Sequence, residues 1–133
     1  MLLTRKLFLL GGFFALVFCL PGRAFDPPKE PTEKQKSIAR KIGKGHSFQK
    51  HVIDEAQFDS FLKEKSRRER QDEFIALIAK VMANPSHSKK LARGREAFYD
   101  QKNNILVIAD PNTRDHGTCF RPSAKKRYYD NLK

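Results

Sequence analysis

The sequence predicts an α+β protein in which N-terminal helices pack on a small antiparallel β-sheet. Three observations carry this. Apolar residues up to Met82 recur at three- and four-residue steps, whereas from Arg95 onward they fall in short β-branched and aromatic runs. Turn-forming stretches, Gln101-Lys102-Asn103-Asn104 and Asp110-Pro111-Asn112-Thr113, punctuate those runs. Helices come first and strands afterwards, so the two classes form separate layers rather than alternating units. With 133 residues and no internal repeat, the chain is expected to hold one small domain.

Taken in order, residues 1–24 have the parts of a signal peptide. Arg5-Lys6 is a short basic start, Leu7 to Leu20 an apolar run broken only by Gly11-Gly12, and Gly22-Arg23-Ala24 a small-x-small cleavage site after Pro21. The apolar run is shorter than the roughly 20 residues of a spanning helix, so no stable membrane span is expected once the leader is removed. Export to the periplasm or medium follows as an expectation. Cys19 leaves with the leader, and Cys119 is then alone, which predicts a small, semi-buried strand residue and a fold held by its core without disulfides.

Residues 25–42 read as a flexible arm: Pro27, Pro28 and Pro31 stand among charges, followed by a short amphipathic helix from Glu33 to Ile42 that Gly43 and Gly45 end. Residues 43–133 form the expected domain. His46 to Phe61 is read as helical with a break near Asp54-Glu55, and Lys63 to Arg70 as a solvated charge run. Phe74, Leu77, Ile78, Val81 and Met82 mark the clearest helix, which Asn84-Pro85 stops. Arg95 to Asp100 and Ile105 to Ala109 form a hairpin, Thr118 to Arg121 a third strand, and Tyr128-Tyr129 a last strand or helical turn.

The 27 Lys+Arg against 15 Asp+Glu give a net charge of +12. A small exported domain this basic fits a polyanionic partner such as nucleic acid, anionic lipid or an acidic protein, and charge alone does not choose among them. Two clusters carry side chains with chemistry. The first, Gly43 to Val52, contains Lys44, His46, Lys50 and His51. At about 100° per residue His51 lies on the rim of the Phe48–Val52 face, Lys50 points into solvent, and His46 sits one turn before Lys50. The second, Asp115 to Pro122, adds a close backbone approach at Gly117, the Thr118 hydroxyl, the Phe120 ring for stacking on a base, and the Arg121 guanidinium for phosphate. The histidines are scattered, the carboxylates are dispersed among lysines, and there is no phosphate loop or nucleophile elbow. Phosphoryl chemistry with neither metal nor cofactor, using His, Lys, Arg and a hydroxyl, is the reading that remains.

These residues also resemble a known family. Phe48-Gln49-Lys50-His51-Val52-Ile53-Asp54 with Phe58 resembles the lysine–histidine helix of the colicin D-like ribonuclease domains, relatives of which end contact-dependent growth-inhibition toxins. Gly94 to Asp100, Val107 to Asn112 and Gly117-Thr118-Cys119-Phe120-Arg121-Pro122 resemble that family's hairpin and following strand. The resemblance implies a fold of the barnase–EndoU–colicin D type and a toxin that cleaves transfer RNA in a target-cell cytoplasm, with an acidic immunity protein as partner. It assigns His51 as catalytic histidine, Lys50 as its neighbouring lysine, Thr118 in place of an active-site serine, and Phe120 as the aromatic beyond it. The family's lysine two before Lys50 is replaced by Phe48, and Lys44 or His46 is expected to compensate. Arg121 joins the catalytic group, and Arg95 the RNA-binding one, as expectations. The competing expectations are a single-stranded ribonuclease without transfer RNA preference and a secreted cationic binder of nucleic acid or membranes without catalysis.

Overall fold

The computed structural model describes residues 26–62 and 66–133; the signal-peptide reading of residues 1–24 lies outside them. Helix α1 spans Glu33–Lys44. Thr32 starts it with a reciprocal capping box, its hydroxyl taking the Gln35 N–H while the Gln35 side chain takes the Thr32 N–H. Such a cap contributes about 1 kcal/mol. The helix runs through Gly43, past the expected stop, and buries Ala39, Ile42 and Gly43. It is therefore part of the core rather than of a flexible arm. Even the preceding segment is held, since Lys29 exchanges two hydrogen bonds with the Asn84 side chain.

Residues His46 and Ser47 lead into a π-helix over Phe48–Asp54. Its widened turn closes with the Glu55 N–H on the Lys50 carbonyl at 3.0 Å, an i→i+5 bond. The helix expected to reach Phe61 thus ends at Asp54, where the break was read, and residues 57–61 are turn. Helix α2, Arg67–Ala83, starts from a second capping box at Ser66 and stops at Asn84 before Pro85. Arg67 to Arg70, read as charge run, is its first turn.

The sheet is an antiparallel meander in the order β1-β2-β3-β4, formed by His87–Lys90, Glu96–Asp100, Ile105–Ala109 and Gly117–Phe120. Strand β1 was not expected; its sequence, His-Ser-Lys-Lys, lacks the apolar alternation that marks a half-buried strand. Register sorts the side chains by face. The row Phe98, Val107, Cys119 belongs to the core shared with Phe48, Val52, Phe58, Phe74 and Ile78, between helices and sheet. The rows Tyr99, Leu106, Phe120 and Ala97, Ile108, Thr118 turn to the other face. There helix α3, Lys126–Asn131, lays Tyr129 on Tyr99 with rings stacked at 5.5 Å. Cys119 is fully buried, and burial pushes its thiol far above the usual range, which makes it an inert packing residue.

The free edge of β4 is closed by side chains. Ser47 Oγ accepts the Cys119 N–H at 3.1 Å and Gln57 Oε1 accepts the Arg121 N–H at 2.8 Å. The segment around the π-helix is thereby stitched to the last strand, and the groove between them becomes a cleft.

Candidate active site

A cleft of about 610 Å³ opens where the π-helix, β4, the Asp110–Gly117 loop and α3 meet. Ile108, Thr118 and Phe120, which share one face of the sheet, line it, and so do His46, Lys50 and His51. The two sequence clusters, some seventy positions apart, therefore lie on one surface.

His51 is buried, where α-helical spacing predicts a place on the rim; its side chain is only 10% exposed. Its Nδ1 lies 2.8 Å from Glu55 Oε2, and its ring lies 5.5 Å from that of Phe120. The His51 hydrogen bond, the largest cause, holds the Glu55 carboxyl below its ordinary range. An ionised Glu55 only accepts, so Nδ1 carries the proton and Nε2 is left as the basic nitrogen of the neutral ring.

Thr118 Oγ1 sits 2.8 Å from Ser47 Oγ. Ser47 is wholly buried and already accepts the Cys119 N–H. If Ser47 donates its own proton to Thr118, the Thr118 O–H is free to point into the cleft. Ser47 was not singled out from the sequence, where it reads as an ordinary helix-entry serine.

A second histidine is fixed in a similar way. Asp115 Oδ2 takes the His46 backbone N–H at 3.0 Å and lies 2.8 Å from His46 Nδ1. Gly45 permits this, since a Cβ there would collide with the Asp115 side chain. Those two bonds hold the Asp115 carboxyl below its ordinary range, the backbone one first. A carboxyl whose folded pKa is lowered stabilises the fold at pH values above its unfolded value of about 3.9, and that contribution is lost as pH falls through the lowered folded value. Wild type is therefore expected to exceed Asp115→Asn in stability at pH 7, with the difference shrinking toward pH 3. Urea unfolding across that range checks this; a gap independent of pH would remove the account by these hydrogen bonds to the ionised carboxylate.

The other candidates divide. Arg95 lines the cleft, steadied by the Ala92 carbonyl at 3.1 Å and the Lys133 carbonyl at 2.9 Å. Phe120 lines it too, with Tyr128 edge-on at 5.4 Å. Tyr128, 41% exposed, is the large aromatic that the chain leaves in solvent among the described residues. Lys44 is outside the cleft, in an adjoining basic depression with Arg40, Lys41 and Arg114. Arg121 is a correction. Its guanidinium donates to the Gln57 carbonyl at 3.2 Å and covers the Phe61 ring at 5.1 Å, so it packs on the helix side instead of lining the cleft. Strand alternation explains this, since position 121 follows Cys119 and not Thr118. Arg114, from the loop, lines the cleft along with Lys50 and Arg95.

Among the described residues no three His, Cys, Asp or Glu side chains gather in a metal-holding group, and no helix is long and apolar enough to cross a membrane. Compared with protein-family models, with curated proteins and with solved structures, the chain matches none.

Proposed function

We propose that the protein is an endoribonuclease whose chemistry needs no metal ion. The observation that carries this reading is the placement of His51, Lys50 and Thr118 on one basic cleft, with His51 Nδ1 occupied by Glu55. His51 Nε2 takes the proton from a ribose 2′-hydroxyl, and the 2′-oxygen attacks the adjacent phosphorus. Lys50 and the Thr118 hydroxyl stabilise charge on the phosphorane oxygens, with Arg114 and Arg95 as further cations. Phe120 and Tyr128 offer faces on which an unpaired base can stack, a contact worth about 1–3 kcal/mol per base. The products are a 2′,3′-cyclic phosphate and a 5′-hydroxyl.

The resemblance to colicin D-like domains narrows the substrate to transfer RNA and the role to a toxin. It also implies export through residues 1–24, action in a target-cell cytoplasm, and an acidic immunity protein over the cleft. Co-purification of an acidic partner that blocks cleavage checks the last point. For the activity itself, incubation with total transfer RNA in EDTA is expected to give discrete fragments ending in cyclic phosphate, while DNA of the same length survives. An intact but retarded RNA band would favour a binding protein, and cleavage of DNA or dependence on a divalent ion would overturn the mechanism.

A further inference from the structure

The proposed reaction leaves one proton unplaced. As the bond from phosphorus to the 5′-oxygen breaks, that oxygen departs as a poor leaving group unless something protonates it. His51, Lys50 and the Thr118 hydroxyl already have work in the attack and in stabilising the phosphorane. His46 lies in the same cleft with its ring set by Asp115. Its side chain is 56% exposed, against 10% for His51, so it stands on the solvent-open side of the cleft.

We propose that His46 is the general acid of the reaction, with Asp115 as its positioning residue. The proposal rests on the ribonuclease reading above and assigns the second proton in it. Asp115 engages both the backbone N–H and Nδ1 of His46. With Nδ1 so occupied, Nε2 is the ring nitrogen left to meet substrate, and the ionised carboxylate supplies the countercharge for an imidazolium. In the balanced step, the 2′-hydroxyl proton passes to His51 Nε2, the 2′-oxygen–phosphorus bond forms, and the phosphorus–5′-oxygen bond breaks. The proton on His46 Nε2 moves to the 5′-oxygen, giving the 5′-hydroxyl. His51 ends protonated and His46 neutral, and exchange with water resets both. Gly45 belongs to the same device, because only a residue without Cβ lets Asp115 reach the turn that carries His46.

A leaving-group substitution tests this. The substrate is an RNA oligonucleotide cleaved by the full chain, made with either the normal 5′-oxygen or a 5′-bridging sulfur at the scissile linkage. A thiolate departs without a proton, so a missing general acid matters little for the sulfur substrate. His46→Ala is expected to slow the oxygen substrate by about 10²–10⁴ and the sulfur substrate by less than about tenfold. Asp115→Asn should show the same pattern with a smaller loss, while His51→Ala slows both substrates alike. Equal loss of both substrates in His46→Ala would make His46 a binding or structural residue, and rescue of His51→Ala by sulfur would reverse the assignment; either overturns the proposal. Unchanged cleavage by His46→Ala also overturns it. Urea midpoints of the variants separate unfolding from chemistry, and a wild type that cleaves neither substrate would refute the ribonuclease reading itself.

Discussion

His51→Ala is expected to lower RNA cleavage by about 10²–10⁴ while the protein stays folded. The size follows from the role: without Nε2 to accept the 2′-hydroxyl proton, only water remains, and the cleft's cations still hold the phosphate. Binding of uncleaved RNA should therefore persist. Glu55 is partly exposed and is re-solvated when the ring is gone, while the lost packing of the buried ring against Phe120 costs the fold some stability without unfolding it. Steady-state cleavage and a gel-shift titration check the two halves. Loss of binding together with cleavage would point to a collapsed cleft rather than a missing base. Glu55→Gln should do less harm, since it leaves the imidazole in place.

Phe74→Ala carries the largest expected cost to stability, about 3–5 kcal/mol. Phe74 is fully buried in α2, with its ring 5.0 Å from Phe58 edge-on and 6.0 Å from Phe48. It is thus the point where α2 holds both the π-helix and the turn after it. Domains have about 5–15 kcal/mol in total, so this one change removes a large part. The cavity left beneath Phe48 should also loosen the turn that carries Lys50 and His51, so cleavage is expected to fall at temperatures where the variant is still folded. Urea unfolding gives the first number and activity against temperature the second. A loss below about 1 kcal/mol would mean that Phe48 and Phe58 close the gap by themselves.

The sequence announced the parts whose signal is local. The stop at Asn84-Pro85, the hairpin around Gln101 to Asn104 and the short strand before Pro122 all rest on turn chemistry or periodicity within a few residues. Strand β1 was silent because an edge strand of polar residues has no face to alternate. The π-helix was silent too: its i→i+5 bonding leaves no mark in the order of apolar residues such as Phe48 and Val52. Arg121 was misplaced for a reason the sequence did contain, the two-residue alternation that aligns it with Cys119. Glu55, four residues after His51, was missed because a helix break was read there, and Asp115 and Ser47 because their role comes from distant contacts. The bonds from Asp115 to His46 and from Ser47 to Thr118 each cross about seventy residues, and nothing local marks such a pairing.

The side-chain stitching of β4 has one more consequence. Successive residues of a strand face opposite ways, so sliding β4 by a single position would exchange its two faces. Cys119 would then replace Thr118 in the cleft, substituting a thiol for the hydroxyl, and Arg121 would take the place of Phe120. Ser47 and Gln57 hold the amides of Cys119 and Arg121 on the strand's open side, where no neighbouring strand fixes the alignment. Their hydrogen bonds act as a ratchet pawl: they contribute modestly to cohesion, yet they decide which functional group the cleft displays.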